Sequence, residues 1–282
     1  MVDVKSHRVE VGRTLERYGF GMLDVQGLLV DIDGVLVISW REIPGAAEAL
    51  ARCRAAGLAL RFLTNTTSVS RAEIAARLTA GGIAVDRDEI VSAPAATAQW
   101  LRTSRPDARC YLINSGDLGD DLAGVHLVGP DEPADLVVLG GAGPEFSYTQ
   151  MNHALALLLS GAGLVGMHRN LYWRTAEGFS LDTGAYLVAL ERAANLDATV
   201  LGKPSADFFR VALTELGLQP DDAAMIGDDI ENDVLGAQAV GVHGVLVRTG
   251  KYRPEALSQQ HEPPDFMLDS VADLPELLGL DS

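Results

Sequence analysis

Asp31 and Asp33 stand two residues apart at the end of the apolar run Leu28-Leu29-Val30, and Gly34 follows at once. Two carboxylates held that close repel unless a cation or a proton comes between them. Such a pair binds a divalent metal, does acid–base chemistry, or does both. Three further groups also come just after apolar stretches. Thr64-Asn65 offers a hydroxyl and backbone N–H groups that suit a phosphate at a strand-to-helix turn. Lys203, set between Gly202 and Pro204, carries an ammonium on a constrained backbone. Asp228 follows Gly227, with Asp229 and Asp233 behind it. Carboxylates of this kind, completed by a backbone carbonyl, water and phosphate, are what Mg²⁺ prefers.

Each group has a plainer explanation. An Asp-x-Asp turn is often only solvated, and Thr64 could simply cap the next helix. Lys203 could be a surface lysine in a turn. Asp228, Asp229 and Asp233 could be helix N-terminal acids favoured by the dipole. Taken singly, these explanations carry as much weight as the chemical ones. All four groups, however, fall at expected C-terminal strand ends, where open α/β sheets bind their ligands. The combination favours a single site.

The elements that must position them follow a βαβα rhythm. The run into Asp31 reads as a strand buried on both faces. A helix over Ala46–Ala55 stops at Gly57, and Leu58–Leu63 forms the strand that ends in Thr64. Ser70 with Glu73 makes a capping-box start for a helix to about Ala80. Ile90-Val91 reads as a third short strand. From about Pro94 the rhythm restarts, with a helix from Ala95, strands at Cys110–Ile113, Leu136–Leu139 and Leu164–Met167, and helices over Tyr148–Leu159 and Thr183–Ala194. At Ala198–Leu201 the first pattern resumes, with a helix to Leu216 and the strand Ala223–Ile226. The acidic loop then opens a helix, and a strand at Gly244–Val247 and a terminal helix after Ser270 follow. A short helix near Val11–Tyr18 is also expected. The sequence thus predicts an α/β protein with a Rossmann-like, doubly wound parallel-sheet core formed by 1–93 and 198–282. A smaller α/β domain, 94–197, is inserted into it.

At 282 residues, 48% hydrophobic and 22% charged, the chain has an ordinary globular composition. Its net charge of −17 argues against a nucleic-acid partner. An anionic substrate must therefore be drawn in by a local cation. Cys53 and Cys110 have no metal-ligand spacing and are expected as free thiols in a reducing cytoplasm. The first residues mix charges with apolar side chains and contain no signal-peptide core. The most apolar later stretch, Ala154–Met167, is interrupted by Gly161 and Gly163 and is too short to span a bilayer. A cytoplasmic protein with no membrane partner is expected.

Asp31-Ile32-Asp33-Gly34, Phe62-Leu63-Thr64-Asn65, Gly202-Lys203-Pro204 and Gly227-Asp228 through Asp233 together resemble the haloacid dehalogenase-like superfamily of aspartyl-phosphate hydrolases, in the right order. The resemblance implies that Asp31 attacks phosphorus while Asp33 protonates the leaving oxygen and later activates water. Thr64 and Asn65 would hold the phosphoryl group, and Lys203 would neutralise it and steady Asp31. Mg²⁺ would sit on Asp31, the Asp33 carbonyl and Asp228, with Asp229 or Asp233 in support. Thirty-one positions separate Asp33 from Thr64, too few for a lid, whereas well over a hundred separate Thr64 from Lys203. The insertion therefore resembles the large α/β cap of the 4-nitrophenylphosphatase-like and phospholysine/phosphohistidine/pyrophosphate phosphatase branch. The lead before Asp31 is longer than that pattern has.

The expected activity is Mg²⁺-dependent hydrolysis of a small phosphorylated metabolite, with a homodimer through the cap implied by the same resemblance. A non-enzymatic phosphate-binding or regulatory protein is the rival. Dehalogenase and phosphonate chemistry have no use for Asp33 as an acid–base group. In the cap, His168, Arg169, Asn170, Tyr172 and Trp173 are candidates for substrate contact, while Tyr172 and Trp173 could instead pack its core or a dimer contact. Asp182-Thr183-Gly184 reads as a helix cap.

Overall fold

The structure, a computed structural model, describes residues 22–175 and 178–280. The helix expected near Val11–Tyr18 lies outside the described residues.

Two parallel sheets organise the chain. The first starts with β1 (Gly27–Asp31), buried at every residue, as a strand covered on both faces must be. A small hairpin, β2 (Val37–Ile38) and β3 (Arg41–Glu42), follows the Asp33 turn. Then come α1 (Ala46–Ala55), β4 (Ala59–Thr64), α2 (Arg71–Ala80) and β5 (Ile90–Ser92). The chain crosses on α3 (Ala93–Ser104) into β6 (Cys110–Ile113), β7 (Leu127–Val128), β8 (Leu136–Leu139), α4 (Tyr148–Leu159) and β9 (Gly163–Gly166). A second hairpin, β10 (Tyr172–Thr175) and β11 (Gly178–Leu181), leads into α5 (Thr183–Ala194) and β12 (Thr199–Val200). The return runs through α6 (Ala206–Leu216), β13 (Ala223–Gly227), a π-helical turn over Ile230–Leu235 and α7 (Gly236–Gln238). It ends with β14 (His243–Val247), α8 (Pro254–Ser258), β15 (Phe266–Leu268) and α9 (Leu274–Leu277).

The first sheet has the order β15-β14-β13-β1-β4-β5, with every pair parallel. Connections leave β1 in opposite directions, to β4 on one side and β13 on the other, which opens a crevice at its C-terminal end. Strand alternation decides what each face buries. Leu28 and Val30 join Leu50, Phe62 and Ile74 on one side, while Leu29 and Leu63 join Phe208, Phe209 and Met225 on the other. Phe208 and Phe209 are fully buried, each contributing about 1.5–3 kcal/mol. They fix α6, and with it the Lys203 loop that leads into that helix.

The second sheet has the order β12-β9-β8-β6-β7. Ala98 and Leu101 of α3 cover one face, and Ala154, Leu158, Leu187 and Leu190 of α4 and α5 cover the other. Ala96 of α3 packs instead with Phe208 and Leu63, so this helix is wedged between the two sheets. A second tie holds the units together. Arg71 donates its backbone N–H and its Nε–H to the buried Asp121 carboxylate, both at 2.8 Å.

Several expectations change. The strand near Ala198–Leu201 pairs with β9 in the second sheet, not with the first pattern; a two-residue strand carries no periodicity to say which sheet it joins. The acidic loop opens a π-helical turn, not an ordinary helix. There the Asp229 carbonyl accepts from both Asp233 and Val234. Ser70 caps α2 through the Glu73 N–H, but the Glu73 carboxylate pairs with Arg77, so only half the capping box forms. Both hairpins, β7, β15 and α8 are additions, too short or too irregular to read from periodicity.

Candidate active site

Asp31 closes β1, Thr64 closes β4, Lys203 lies just before α6, and Asp228 follows β13. Parallel pairing in register puts Asp31 beside Leu63 and Ile226 beside Val30, so the residues that follow these strands converge on one rim. Lys203 Nζ lies 2.6 Å from Asp31 Oδ1 and 2.7 Å from Asp233 Oδ1, with all three side chains at most 6% exposed. Burial alone would discharge this lysine, but the charges of Asp233 and Asp31 outweigh it and hold its pKa above the ordinary value. The lysine main chain is clamped too. Asn65 Oδ1 accepts from the Lys203 N–H at 2.9 Å, and Asn65 Nδ2 donates to the Lys203 carbonyl at 3.0 Å. The Asn65 side chain is thus committed to the lysine loop.

Asp33 is held differently. Its Oδ2 accepts from Thr66 Oγ1 at 3.2 Å; Thr66 Oγ1 in turn accepts from the Thr64 hydroxyl, and the Thr66 backbone N–H donates to Thr64 Oγ1. Asp33 is also less buried than Asp31. Of the pair, one carboxylate is thus locked to an ammonium, while the other is linked only through neutral hydroxyls.

Asp31, Asp228 and Asp233 bring one carboxylate oxygen each within 4.8 Å of one another. Asp228 Oδ2 accepts from the Lys251 N–H at 2.6 Å, whereas the buried Oδ1 has no hydrogen-bond partner among the described residues. Burial, then the charges of Asp31 and Asp233, push the Asp228 carboxyl well up from its usual range. Three carboxylates against the Lys203 ammonium leave two negative charges to be balanced. Hard oxygen donors with that excess fit Mg²⁺, and the orphaned oxygen is the kind of group a cation satisfies. Asp233 belongs to this cluster. Asp229 does not, because its carboxylate caps the π-helical turn, accepting from the N–H groups of Glu231 and Asn232 and from the Asn232 side chain. The plain explanation holds for Asp229 alone. Gly227 makes room for the arrangement, since a Cβ there would lie 2.2 Å from that of Asp233.

Two residues that sequence reasoning missed, Gly250 and Lys251, complete the Asp228 pocket. A Cβ on Gly34 (φ +93°) or on Gly250 (φ +56°) would lie 1.9 Å from Asp228 Oδ2. The segment Thr249-Gly250-Lys251 follows β14 just as the other groups follow their strands, and the Thr249 hydroxyl donates to the Gly34 carbonyl. That strand-end position was the available signal.

The second-unit candidates scatter. His168 is buried, with Nε2 facing Thr67 Oγ1 at 3.5 Å and Asp182 Oδ1 at 3.7 Å, while Nδ1 lies 3.3 Å from the Asn170 N–H. Burial holds its pKa below the ordinary value, against the pull of Asp182. Arg169 is tied in a two-pronged pair to Glu191 of α5. Tyr172 and Trp173 lie on the exposed hairpin, 54% and 52% accessible. Asp182 caps α5 by accepting from the Thr183 N–H.

Comparison with known proteins agrees with this geometry. The haloacid dehalogenase-like hydrolase pattern matches residues 28–128, and a second HAD-like hydrolase pattern matches 200–274. The chain is 38% identical over 246 residues to human haloacid dehalogenase-like hydrolase domain-containing protein 2, covering 87% of this chain and 93% of that one. It is 38% identical over 259 residues to the Xenopus laevis phospholysine phosphohistidine inorganic pyrophosphate phosphatase, covering 91% and 93%. A p-nitrophenyl phosphatase from Archaeoglobus fulgidus superposes with a TM-score of 0.83 at 32% identity, over 90% of this chain and 99% of that one. NagD from Escherichia coli K-12 superposes with a TM-score of 0.80 at 26% identity, over 89% and 98%. Among the described residues no helix is long and apolar enough to cross a membrane. With its motifs ordered along one crevice and its likeness running nearly the whole chain, this protein belongs to the haloacid dehalogenase-like hydrolases, in the large α/β-cap branch, and is a phosphatase.

Proposed function

We propose that this phosphatase hydrolyses a small phosphorylated metabolite through a phospho-Asp31 intermediate, in a Mg²⁺-dependent reaction. The observation that carries the reading is Lys203, bridging Asp31 and Asp233 beside an Asp228 oxygen that has no hydrogen-bond partner among the described residues. An Asp31 carboxylate oxygen bonds to phosphorus as the bond to the leaving oxygen breaks, and Asp33 gives that oxygen its proton. Asp33 then takes a proton from water, which attacks phosphorus and frees Asp31 as phosphate departs. The hydroxyl link through Thr66 leaves Asp33 without the ammonium contact that holds Asp31. With the Asn65 side chain committed to Lys203, its backbone N–H and the Thr64 hydroxyl, once turned from Thr66, are the donors for the phosphoryl oxygens. Bound by Asp31, Asp228 and the Asp33 carbonyl, with Asp233 in support, Mg²⁺ would neutralise phosphoryl charge.

The unit spanning 94–197 is assigned as the cap that selects the substrate, and His168 and Asn170 are its candidates for facing the crevice. The exposed apolar side chains of the β10–β11 hairpin favour a homodimer through this cap. A cytoplasmic setting accords with the two buried free thiols, Cys53 and Cys110.

The test is phosphate release from a panel of phosphorylated metabolites, with and without Mg²⁺, for wild type and Asp31→Asn. Mg²⁺-dependent release that vanishes in the variant is the expected result. Full activity in Asp31→Asn would overturn the mechanism.

A further inference from the structure

The molecule as a whole carries a charge of −17, so an anion reaches the crevice against a repelling field. Lys203 is already spent on two carboxylates. A second lysine is placed differently. The Lys251 backbone N–H bonds Asp228 Oδ2, the oxygen on the far side from the orphaned Oδ1. Gly250 before it packs against Gly34, where a Cβ would lie 2.5 Å from the Gly34 Cα. The base of Lys251 is therefore fixed to the rim of the site. Its ammonium makes no ion pair within 4.0 Å among the described residues. It nevertheless lies within electrostatic reach of Asp228, Asp31 and Asp233 on the core side and of the buried His168 on the cap side. Solvent reaches the side chain, yet burial still works against its charge, as expected in the mouth of a cleft.

We propose that Lys251 is a specificity-determining residue that binds a second anionic group on the substrate, next to the phosphoryl group being transferred. Asp228 stands between the phosphoryl pocket and the Lys251 loop. The ammonium is therefore offset from the phosphorus towards the junction of core and cap, where the leaving group must lie. The preferred class is a phosphoryl compound whose leaving group is itself an anion, such as a second phosphate or a carboxylate. A neutral leaving group offers nothing for this cation to bind. The assignment rests on the phosphatase reading.

The test compares kcat/KM for inorganic pyrophosphate with that for p-nitrophenyl phosphate in wild type, Lys251→Met and Lys251→Arg. Losing a charge-assisted contact lowers the pyrophosphate value about tenfold or more in Lys251→Met, mostly through KM, and the p-nitrophenyl phosphate value several-fold less. Lys251→Arg restores most of the ratio. Because every variant keeps the backbone N–H to Asp228, the Mg²⁺ concentration for half-activity moves little. An equal fall for both substrates means that Lys251 only tempers the acidic cluster and overturns the inference. A wild type that turns over p-nitrophenyl phosphate but not pyrophosphate also overturns it, and leaves the phosphatase reading standing. A wild type with no Asp31-dependent turnover of either compound overturns both.

Discussion

The carboxylate–lysine cluster and the β10–β11 hairpin are opposites. In the cluster, Asp31, Lys203, Asp228 and Asp233 are each 4% exposed or less, and they come from three separate segments of the chain. In the hairpin, Tyr172, Trp173, Phe179 and Leu181 are all more than half exposed, and Tyr172 and Phe179 meet edge-on. The cluster keeps charges where water cannot relieve them, so each depends on its neighbours. The hairpin leaves apolar surface in water, where a second surface can cover it. The buried charges cannot be altered piecemeal, whereas the exposed hairpin can.

The strongest way to break this contrast is to remove one charge at a time from the cluster. Asp31→Asn should lower phosphate release at least about a thousandfold, as loss of a nucleophile does. It also takes one negative charge out of a crowded group, so thermal stability without Mg²⁺ should hold or rise. Lys203→Met should lose turnover and stability together. Three buried carboxylates are then left without their ammonium, at about 3–5 kcal/mol. Calorimetry beside activity separates the two; a Lys203→Met protein as stable as wild type would mean that the cluster is not interdependent.

Gly250→Ala tests the rim next. The new Cβ meets Asp228 Oδ2 at 1.9 Å and sits on a backbone at φ +56°. The left-handed conformation costs a non-glycine residue about 1–2 kcal/mol, and the displaced carboxylate should raise the Mg²⁺ concentration needed for half-activity. A titration with wild-type Mg²⁺ dependence would show that Asp228 moves freely.

How much of this was legible follows from the same contrast. The buried strands and the groups at their ends could be read because burial on both faces leaves long apolar runs, and a functional group stands out where such a run stops. Asp31, Thr64, Lys203 and Asp228 all carry that signature. Gly250 and Lys251 carry it too, after Val245-Leu246-Val247, but a glycine and a lysine in a loop look ordinary until Asp228 is seen pressed against them. Asp229 and Asp233 could not be told apart in advance, because the π-helical turn that sends one to a cap and the other to Lys203 has no sequence period. The hairpin was illegible for the opposite reason. Its strands are only four residues long, and although Phe179 and Leu181 alternate with Gly178 and Ser180, the adjacent aromatics Tyr172 and Trp173 break the period in the other strand.

Acidity sharpens the comparison further. The Asp228 and Asp233 carboxyls are raised first by burial and then by the neighbouring charge of Asp31. A carboxyl whose folded pKa is raised binds protons more readily in the folded state. Its stabilising share is fully present below the unfolded value of 3.8 and is lost as pH rises through the folded one. In chelator, this site should therefore lower the melting temperature between about pH 5 and pH 8. Mg²⁺ needs the deprotonated ligands, so its stabilisation should be larger at the higher pH. At a hundredfold excess over Kd it should amount to about 2.7 kcal/mol. An equal gain at both pH values would argue that these carboxyls do not share a cation.

The smallest effect belongs to the hairpin. Phe179 is 74% exposed, so Phe179→Ser removes little buried surface from the folded chain. Its unfolding free energy should stay within about 0.5 kcal/mol of wild type when measured on dilute monomer. Release from p-nitrophenyl phosphate should be near wild type, because no group of the cluster touches this residue. What should change is association. If the hairpin packs against a second copy, removing its most exposed ring weakens the dimer, and sedimentation velocity shows the shift in the concentration at which dimers form. A variant that loses activity in step with association would instead tie the hairpin to the crevice, and the separation between the two regions would fall. A variant with lower monomer stability would show that Phe179 is part of the cap's own packing, and the apolar surface would need a different account.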